Sequence, residues 1–122
     1  MSAAWRGYAS APPEGTSVAP LGAVGEGATT LTVSSPNGEF PLIVVRRGGA
    51  IRGFVNACPH QFLPLDYRGA TILSADGTRL MCTSHGAAYD AVSGEGVAGF
   101  GLGCALDPVP LVVAGGTLRI GA

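Results

Sequence analysis

Two short segments of this chain each carry one cysteine and one histidine, and this pairing constrains the fold more than any other feature. The first segment is Cys58-Pro59-His60 and the second is Cys82-Thr83-Ser84-His85. Thiolates and imidazoles together favour iron–sulfur clusters or zinc over calcium and magnesium, which bind oxygen ligands. We therefore predict a fold in which the two segments meet around a metal centre, with the ligands Cys58, His60, Cys82 and His85.

The spacing within each pair narrows the choice of metal. A Cys-x-His loop that faces a Cys-x-x-His loop allows both sulfurs to bind one metal and both nitrogens to bind a second. Zinc sites with two cysteines and two histidines usually pair cysteine with cysteine and histidine with histidine, within a short finger. We therefore favour an iron–sulfur centre and keep a zinc site as the alternative.

The two segments resemble the cluster-binding boxes of the Rieske family, whose 2Fe-2S cluster has two cysteine and two histidine ligands. Residues outside the boxes extend the similarity over roughly residues 40–120. They are Phe54-Val55-Asn56-Ala57, Tyr89-Asp90, Gly94 and the closing segment Leu106-Asp107-Pro108-Val109-Pro110. The resemblance implies that a 2Fe-2S cluster is the cofactor.

Length and composition favour a small all-β protein. A chain of 122 residues is long enough for one hydrophobic core, which predicts a single domain. The 20 glycines and 9 prolines favour short strands and turns over long helices. We expect a Rieske-like antiparallel β sandwich or barrel with an inserted cluster-binding lobe at about residues 57–104. Residues 1–28, rich in Ala, Gly, Pro and Ser, are expected to form an extended N-terminal segment.

Four glycine-containing dipeptides mark the expected hairpin turns. Asn37-Gly38 and Gly48-Gly49 separate the apolar runs that lead into the first box, and Gly115-Gly116 predicts a hairpin near the C-terminus. Asp76-Gly77 predicts another hairpin in the stretch between the boxes, residues 61–81. Because each box follows an apolar run, we expect each to be a loop that begins at the end of a strand.

Charge and hydropathy argue against several classes of partner. The net charge is -1, and the seven basic residues are scattered along the chain, which makes nucleic acid an improbable partner. The sequence has no apolar run long enough to span a bilayer and no secretion signal at its start. We therefore expect no membrane partner and a cytoplasmic location.

Two cysteine positions distinguish branches of the family. High-potential respiratory Rieske proteins carry an extra cysteine in each box, and these two cysteines form a disulfide. The corresponding positions here are Leu63 and Ser84, so the resemblance implies the ferredoxin branch. A third cysteine, Cys104, is left over, and an odd count argues against a disulfide framework. We expect Cys104 to be a small buried residue.

The resemblance also assigns residues to the surroundings of the cluster, namely Leu63, Ser84, Gly86 and Tyr89. High-potential members carry a serine directly after the His-Gly of the second box and a tyrosine two positions later, and both donate hydrogen bonds to sulfur. The corresponding residues here are Ala87 and Tyr89. We predict that the Tyr89 hydroxyl reaches the sulfur of Cys58, and that the reduction potential lies in the low or middle part of the family's range.

The expected function is one-electron transfer, in which a reductase is the donor and an oxygenase or other redox enzyme is the acceptor. The chain has only two histidines, so none remains for the two-histidine, one-carboxylate iron that Rieske oxygenases use. We therefore expect no catalytic residues. Two alternatives are a permanent small subunit of a multisubunit oxidoreductase and, from a different class, a zinc-stabilised β module that only binds partners.

Overall fold

The computed structural model describes residues 4–58, 63–84 and 86–121. These residues pack into two compact units, the first being Met1–Val55 with Asp107–Ala122 and the second Asn56–Leu106. The second unit is therefore one continuous segment, inserted into the chain of the first. In the described ranges, no helix has the length and hydropathy that crossing a lipid bilayer demands.

The first unit contains two antiparallel sheets. The larger sheet has the order β2-β3-β4-β8, with strands β2 (Gly27–Ser35), β3 (Gly38–Arg47), β4 (Ala50–Val55) and β8 (Pro108–Val109). The smaller sheet has the order β1-β10-β9, with strands β1 (Ser17–Pro20), β9 (Leu111–Ala114) and β10 (Thr117–Ile120). Short 3₁₀ turns lie at Ala4–Gly7 and Leu21–Ala23.

Strand β3 occupies the centre of the larger sheet because its sequence is apolar on both faces. Phe40 and the run 42–45 are buried, and β3 pairs with β2 on one side and β4 on the other. A continuous apolar run of this kind is typical of a strand that is covered on both faces. The β4 strand then ends at Val55, three residues before Cys58, as the sequence predicts for the first box.

The predicted hairpin turns of the first unit are confirmed. Pro36 and Asn37 form the turn between β2 and β3, with Gly38 as the first residue of β3. Gly48-Gly49 joins β3 to β4, and Gly115-Gly116 joins β9 to β10. At Gly115 and Gly116 the φ angles are 60° and 75°. Two consecutive residues in the left-handed region characterise the tightest hairpin turn, and glycine adopts that conformation with little strain.

The N-terminal segment is more ordered than the predicted extended coil. Strand β1 pairs with β10, and the side chain of Trp5 is only 2% exposed. Both Trp5 and Tyr8 pack edge-on against Phe40, with ring centroids 6.1 and 5.9 Å apart. The sequence gives no sign of this order because β1 is too short to show a period of its own, and pairing with a distant strand supplies its hydrogen bonds.

The second unit contains a third antiparallel sheet, with the order β5-β6-β7. Its strands are β5 (Arg79–Met81), β6 (Ala88–Asp90) and β7 (Gly96–Ala98), and a 3₁₀ turn at Gly99–Gly101 follows β7. Every strand pairing among the described residues is antiparallel, which confirms the all-β prediction.

The hairpin predicted at Asp76-Gly77 is also confirmed. Leu73 forms a bridge with Leu80, and the turn is closed by a hydrogen bond from the Gly77 amide to the Ser74 carbonyl. The Asp76 carboxylate accepts hydrogen bonds from the Ser74 hydroxyl at 2.7 Å and from the amide and hydroxyl of Thr78 at 3.0 and 2.8 Å. These hydrogen bonds, the one from Ser74 above all, lower the pKa of Asp76 to about 2.

This turn yields a prediction about pH. A lowered pKa in the folded state means that the Asp76 carboxylate stabilises the fold above its unfolded pKa, about 3.9, and that this contribution is lost as the pH falls towards 2. NMR titration of the Asp76 carboxyl carbon should give a midpoint near 2. In S74A the midpoint should rise towards the ordinary value. An identical midpoint in S74A and wild type would show that the Ser74 hydroxyl does not lower the pKa of Asp76.

Candidate metal centre

The two box cysteines are held by matching backbone hydrogen bonds. The amide of Cys58 donates to the Leu63 carbonyl at 2.7 Å, and the amide of Cys82 donates to the Ala87 carbonyl at 2.8 Å. In both loops the acceptor lies five residues after the cysteine. Both cysteines are buried, so each loop presents its thiol inside the second unit and away from solvent.

The histidine ligands predicted from the sequence, His60 and His85, lie outside the described residues, as does Pro59. No cluster of three or more metal-binding side chains occurs in the part of the chain that the structure describes. Cys58 and Cys82 are thus the two members of the predicted ligand set whose surroundings are described. The four-ligand set remains a prediction.

Tyr89 connects the sheet of the second unit to the first box. It lies on β6 opposite Leu80 of β5, and its side chain is fully buried. Its hydroxyl oxygen is 3.2 Å from the sulfur of Cys58. The contact expected between these two groups is therefore present.

The surroundings of Tyr89 determine its protonation. Burial is the largest cause of a raised pKa for this phenol, followed by the hydrogen bond with Cys58. Electrostatic interactions with Cys58, Cys104 and Cys82 raise the pKa further. Because the hydroxyl stays protonated, it is the donor whenever the Cys58 sulfur is a thiolate. Sulfur atoms from both boxes thus act on one phenol.

Two glycines allow the chain to pass closely over Tyr89. A Cβ atom on Gly101 would lie 2.8 Å from the Ala88 carbonyl oxygen and 3.2 Å from Cε1 of the Tyr89 ring. A Cβ atom on Gly96 would collide with the Gly101 carbonyl oxygen. Glycine at these positions is a packing requirement, because any side chain would push the backbone away from the ring.

Two side chains to which the sequence analysis assigned no contact join the loops of the second unit. The Thr83 hydroxyl donates to the Leu65 carbonyl at 2.7 Å and accepts from the Arg68 amide at 2.9 Å. Asn56, which is buried, accepts from the Leu65 amide at 2.8 Å and donates to Asp66 at 3.1 Å. A short polar residue at the end of an apolar strand was the available signal for Asn56.

Other residues assigned by resemblance have identifiable contacts. The Leu63 carbonyl accepts a hydrogen bond from the Cys58 amide. Gly86 has a φ of 71° and donates its amide to the Cys82 carbonyl at 3.0 Å, which tightens the second loop. Cys104, expected to be buried, is half-buried instead, because it follows the exposed turn at Leu102, whose side chain is 64% exposed.

The residues around the two cysteines suit a sulfur-ligated metal group. Both thiols are buried, one of them contacts a protonated phenol, and the buried Ser84 hydroxyl has no hydrogen-bond partner among the described residues. Hydrogen-bond donors directed at sulfur stabilise metal-bound thiolates. The described donors therefore fit an iron–sulfur centre.

Comparisons with known proteins support this assignment. Residues 18–101 match the family model of the Rieske [2Fe-2S] domain. The ferredoxin of carbazole 1,9a-dioxygenase from Nocardioides aromaticivorans IC177 is 20% identical, with a TM-score of 0.71 over 89% of this chain and 98% of that chain. The Sphingomonas yanoikuyae B1 ferredoxin is 22% identical, with a TM-score of 0.68 over 88% and 98% of the two chains.

A third solved structure is a complex of reduced oxygenase and oxidized ferredoxin in carbazole 1,9a-dioxygenase. The matched chain is 23% identical, with a TM-score of 0.67 over 86% of this chain and 90% of that chain. The comparison with curated proteins finds no match. The structural similarities confirm the fold that the sequence predicts.

The Tyr89 contact predicts the effect of removing its hydroxyl. In Y89F the metal centre should form, and its reduction potential should fall on the order of tens of millivolts, because a donor to sulfur is lost. Redox titration followed by absorbance measures this shift. The matched control is Y67F, since Tyr67 is 60% exposed. Equal potentials in Y89F and wild type would show that the Tyr89 hydroxyl does not affect the reduction potential.

The close approach of Gly101 predicts a second effect. G101A should lower the free energy of unfolding by about 1–3 kcal/mol, because overpacking displaces the backbone or the Tyr89 ring. Urea denaturation measures the loss. The control is G69A, where the added Cβ would meet only the Thr83 methyl group at 3.8 Å. A G101A protein as stable as G69A would contradict the packing argument.

Proposed function

Because the chain belongs to the Rieske [2Fe-2S] domain family, we propose that it is a one-electron carrier between a reductase and an oxygenase or another redox enzyme. When bound, the cluster supplies the redox chemistry by taking up and releasing one electron. The main observation in support is that the sulfur of Cys58 contacts the buried phenol of Tyr89. Cys82, from the second box, also raises the pKa of this phenol.

In this proposal Cys58, Cys82, His60 and His85 would hold the cluster, with two thiolate and two imidazole ligands. Replacing two of four thiolates by neutral imidazoles makes the oxidised centre less negative, so an added electron is accommodated more easily. Rieske centres accordingly span about -150 to +300 mV, against about -400 mV for plant-type ferredoxins. The protein's own residues then set the potential within that range through hydrogen bonds to sulfur.

The proposed acceptor is an oxygenase. Two of the similar structures are ferredoxins, and a third is an oxygenase–ferredoxin complex of carbazole 1,9a-dioxygenase. The match extends over 98% of the first two ferredoxins, so this chain is comparable to them over their full length. The donor would be a reductase, and the cytoplasm is the proposed location. With both histidines used as ligands, the chain would keep none for an oxygen-activating iron.

A permanent subunit of a larger oxidoreductase is the second candidate. Tyr67 and Leu102 of the second unit are 60% and 64% exposed, and charged residues make up only 12% of the chain. Steered transient encounters usually use more charge than this. Gel filtration of a native extract separates the candidates, because a free carrier elutes near 12.1 kDa and a bound subunit does not.

The cofactor assignment predicts the composition of the purified protein. Anaerobically prepared protein should contain iron and acid-labile sulfide in equal amounts and be red-brown, and its reduced form should give a Rieske-type electron paramagnetic resonance signal. C82S should lose the iron, whereas C104S should retain it, because only Cys82 belongs to a box. Colourless protein with stoichiometric zinc would overturn the electron-carrier proposal in favour of a zinc-stabilised binding module.

A further inference from the structure

The hydroxyl group of Ser84 is buried and makes no hydrogen bond with the described residues. It is the one side-chain oxygen or nitrogen of this kind in the described part of the chain. Burying a hydroxyl without a partner is unfavourable, because its hydrogen bonds to water are lost and not replaced. Native proteins leave few such groups, so each one requires an explanation.

The loop around Ser84 offers no competing explanation. The neighbouring hydroxyl, that of Thr83, already bonds to Leu65 and Arg68. The amide of Cys82 donates to the Ala87 carbonyl, and the amide of Gly86 donates to the Cys82 carbonyl. These described groups of the loop are therefore paired, whereas the Ser84 hydroxyl, two residues after a box cysteine, donates to none of the described residues.

We propose that the Ser84 hydroxyl donates a hydrogen bond to a sulfur atom of the 2Fe-2S centre and thereby raises its reduction potential. This inference rests on the proposed function. Reduction adds one negative charge to the centre, and sulfur accepts a hydrogen bond more strongly when it is more negative. A donor at this position therefore stabilises the reduced state more than the oxidised state.

The proposed role of Ser84 complements that of Tyr89. The hydroxyl of Tyr89 is committed to Cys58 of the first box. Ala87, the residue directly after Gly86, has no hydroxyl, so the usual serine donor of the second box is missing. Ser84 would supply the second donor from another position in the same loop. The potential should then lie above the value expected from Tyr89 alone.

The test compares four variants with the wild-type protein, after the iron and sulfide content of each has been verified. In S84A the reduction potential should fall. A fall of about 59 mV would mean that the equilibrium constant for one-electron reduction is tenfold smaller. S84T keeps a hydroxyl and should retain most of the wild-type potential. S84V has nearly the shape of S84T without the hydroxyl and should behave like S84A. S93A removes a hydroxyl from an exposed turn of the same unit and should leave the potential unchanged.

A spectroscopic measurement detects the proton itself. Electron nuclear double resonance of the reduced protein, recorded in H₂O and D₂O, should show one exchangeable proton coupling in wild type and S84T that is absent from S84A and S84V. A purely structural role for Ser84 would not produce this difference. The measurement needs only protein that carries the centre, and the S84T and S84V pair decides the matter even if S84A does not fold.

The outcomes separate this inference from the proposed function. If wild-type protein holds no iron–sulfur centre, the proposed function fails and Ser84 loses its role with it. If the centre is present but S84T and S84V have equal potentials and equal proton couplings, the inference about Ser84 is overturned and the electron carrier stands. If the potential is high in every form with a hydroxyl at position 84 and low in every form without one, both the proposed function and the inference about Ser84 are supported.

Discussion

The candidate metal centre depends on two backbone hydrogen bonds of the same form. Each box cysteine donates its amide to a carbonyl five residues later, that of Leu63 in the first loop and that of Ala87 in the second. These bonds join the described ends of the two loops, and both cysteines are buried. The fold itself therefore meets part of the ordering cost of holding the two cysteines.

Tyr89 supplies a buried hydrogen-bond donor to sulfur next to this backbone framework. The β6 strand places its ring in the interior, and Gly101 lets a second segment of backbone pass directly over the ring. The enclosure excludes water, which is the principal reason that the phenol stays protonated. An uncharged donor next to Cys58 stabilises a thiolate without adding a charge to a buried site.

Neutral hydrogen-bond donors are the main means by which this chain would tune the potential of a bound cluster. No Lys, Arg, Asp or Glu side chain is among the causes of the raised Tyr89 pKa, which come from burial and from the three cysteines. Tyr89 contacts Cys58 of the first box, whereas the unpartnered hydroxyl of Ser84 belongs to the second box. Asn56 and Thr83 form two clamps, defined as their side-chain hydrogen bonds to the backbone of Leu65. These clamps hold together the segments that surround Tyr89 and Ser84.

By itself the sequence determined the all-β class and the four hairpins, and it predicts the two metal-binding boxes. These features are local: a glycine dipeptide specifies its own turn, and the thiol and imidazole chemistry of a box is independent of the rest of the chain. The contact between Tyr89 and Cys58 was also predictable, but through resemblance to a family.

Only the tertiary structure decided the pairing of β1 with β10, the clamps at Asn56 and Thr83, the partial exposure of Cys104 and the unpaired hydroxyl of Ser84. Each of these depends on which groups from distant parts of the chain become neighbours. Whether a buried hydroxyl finds a partner is a property of all its neighbours together, and a one-dimensional pattern does not contain that information.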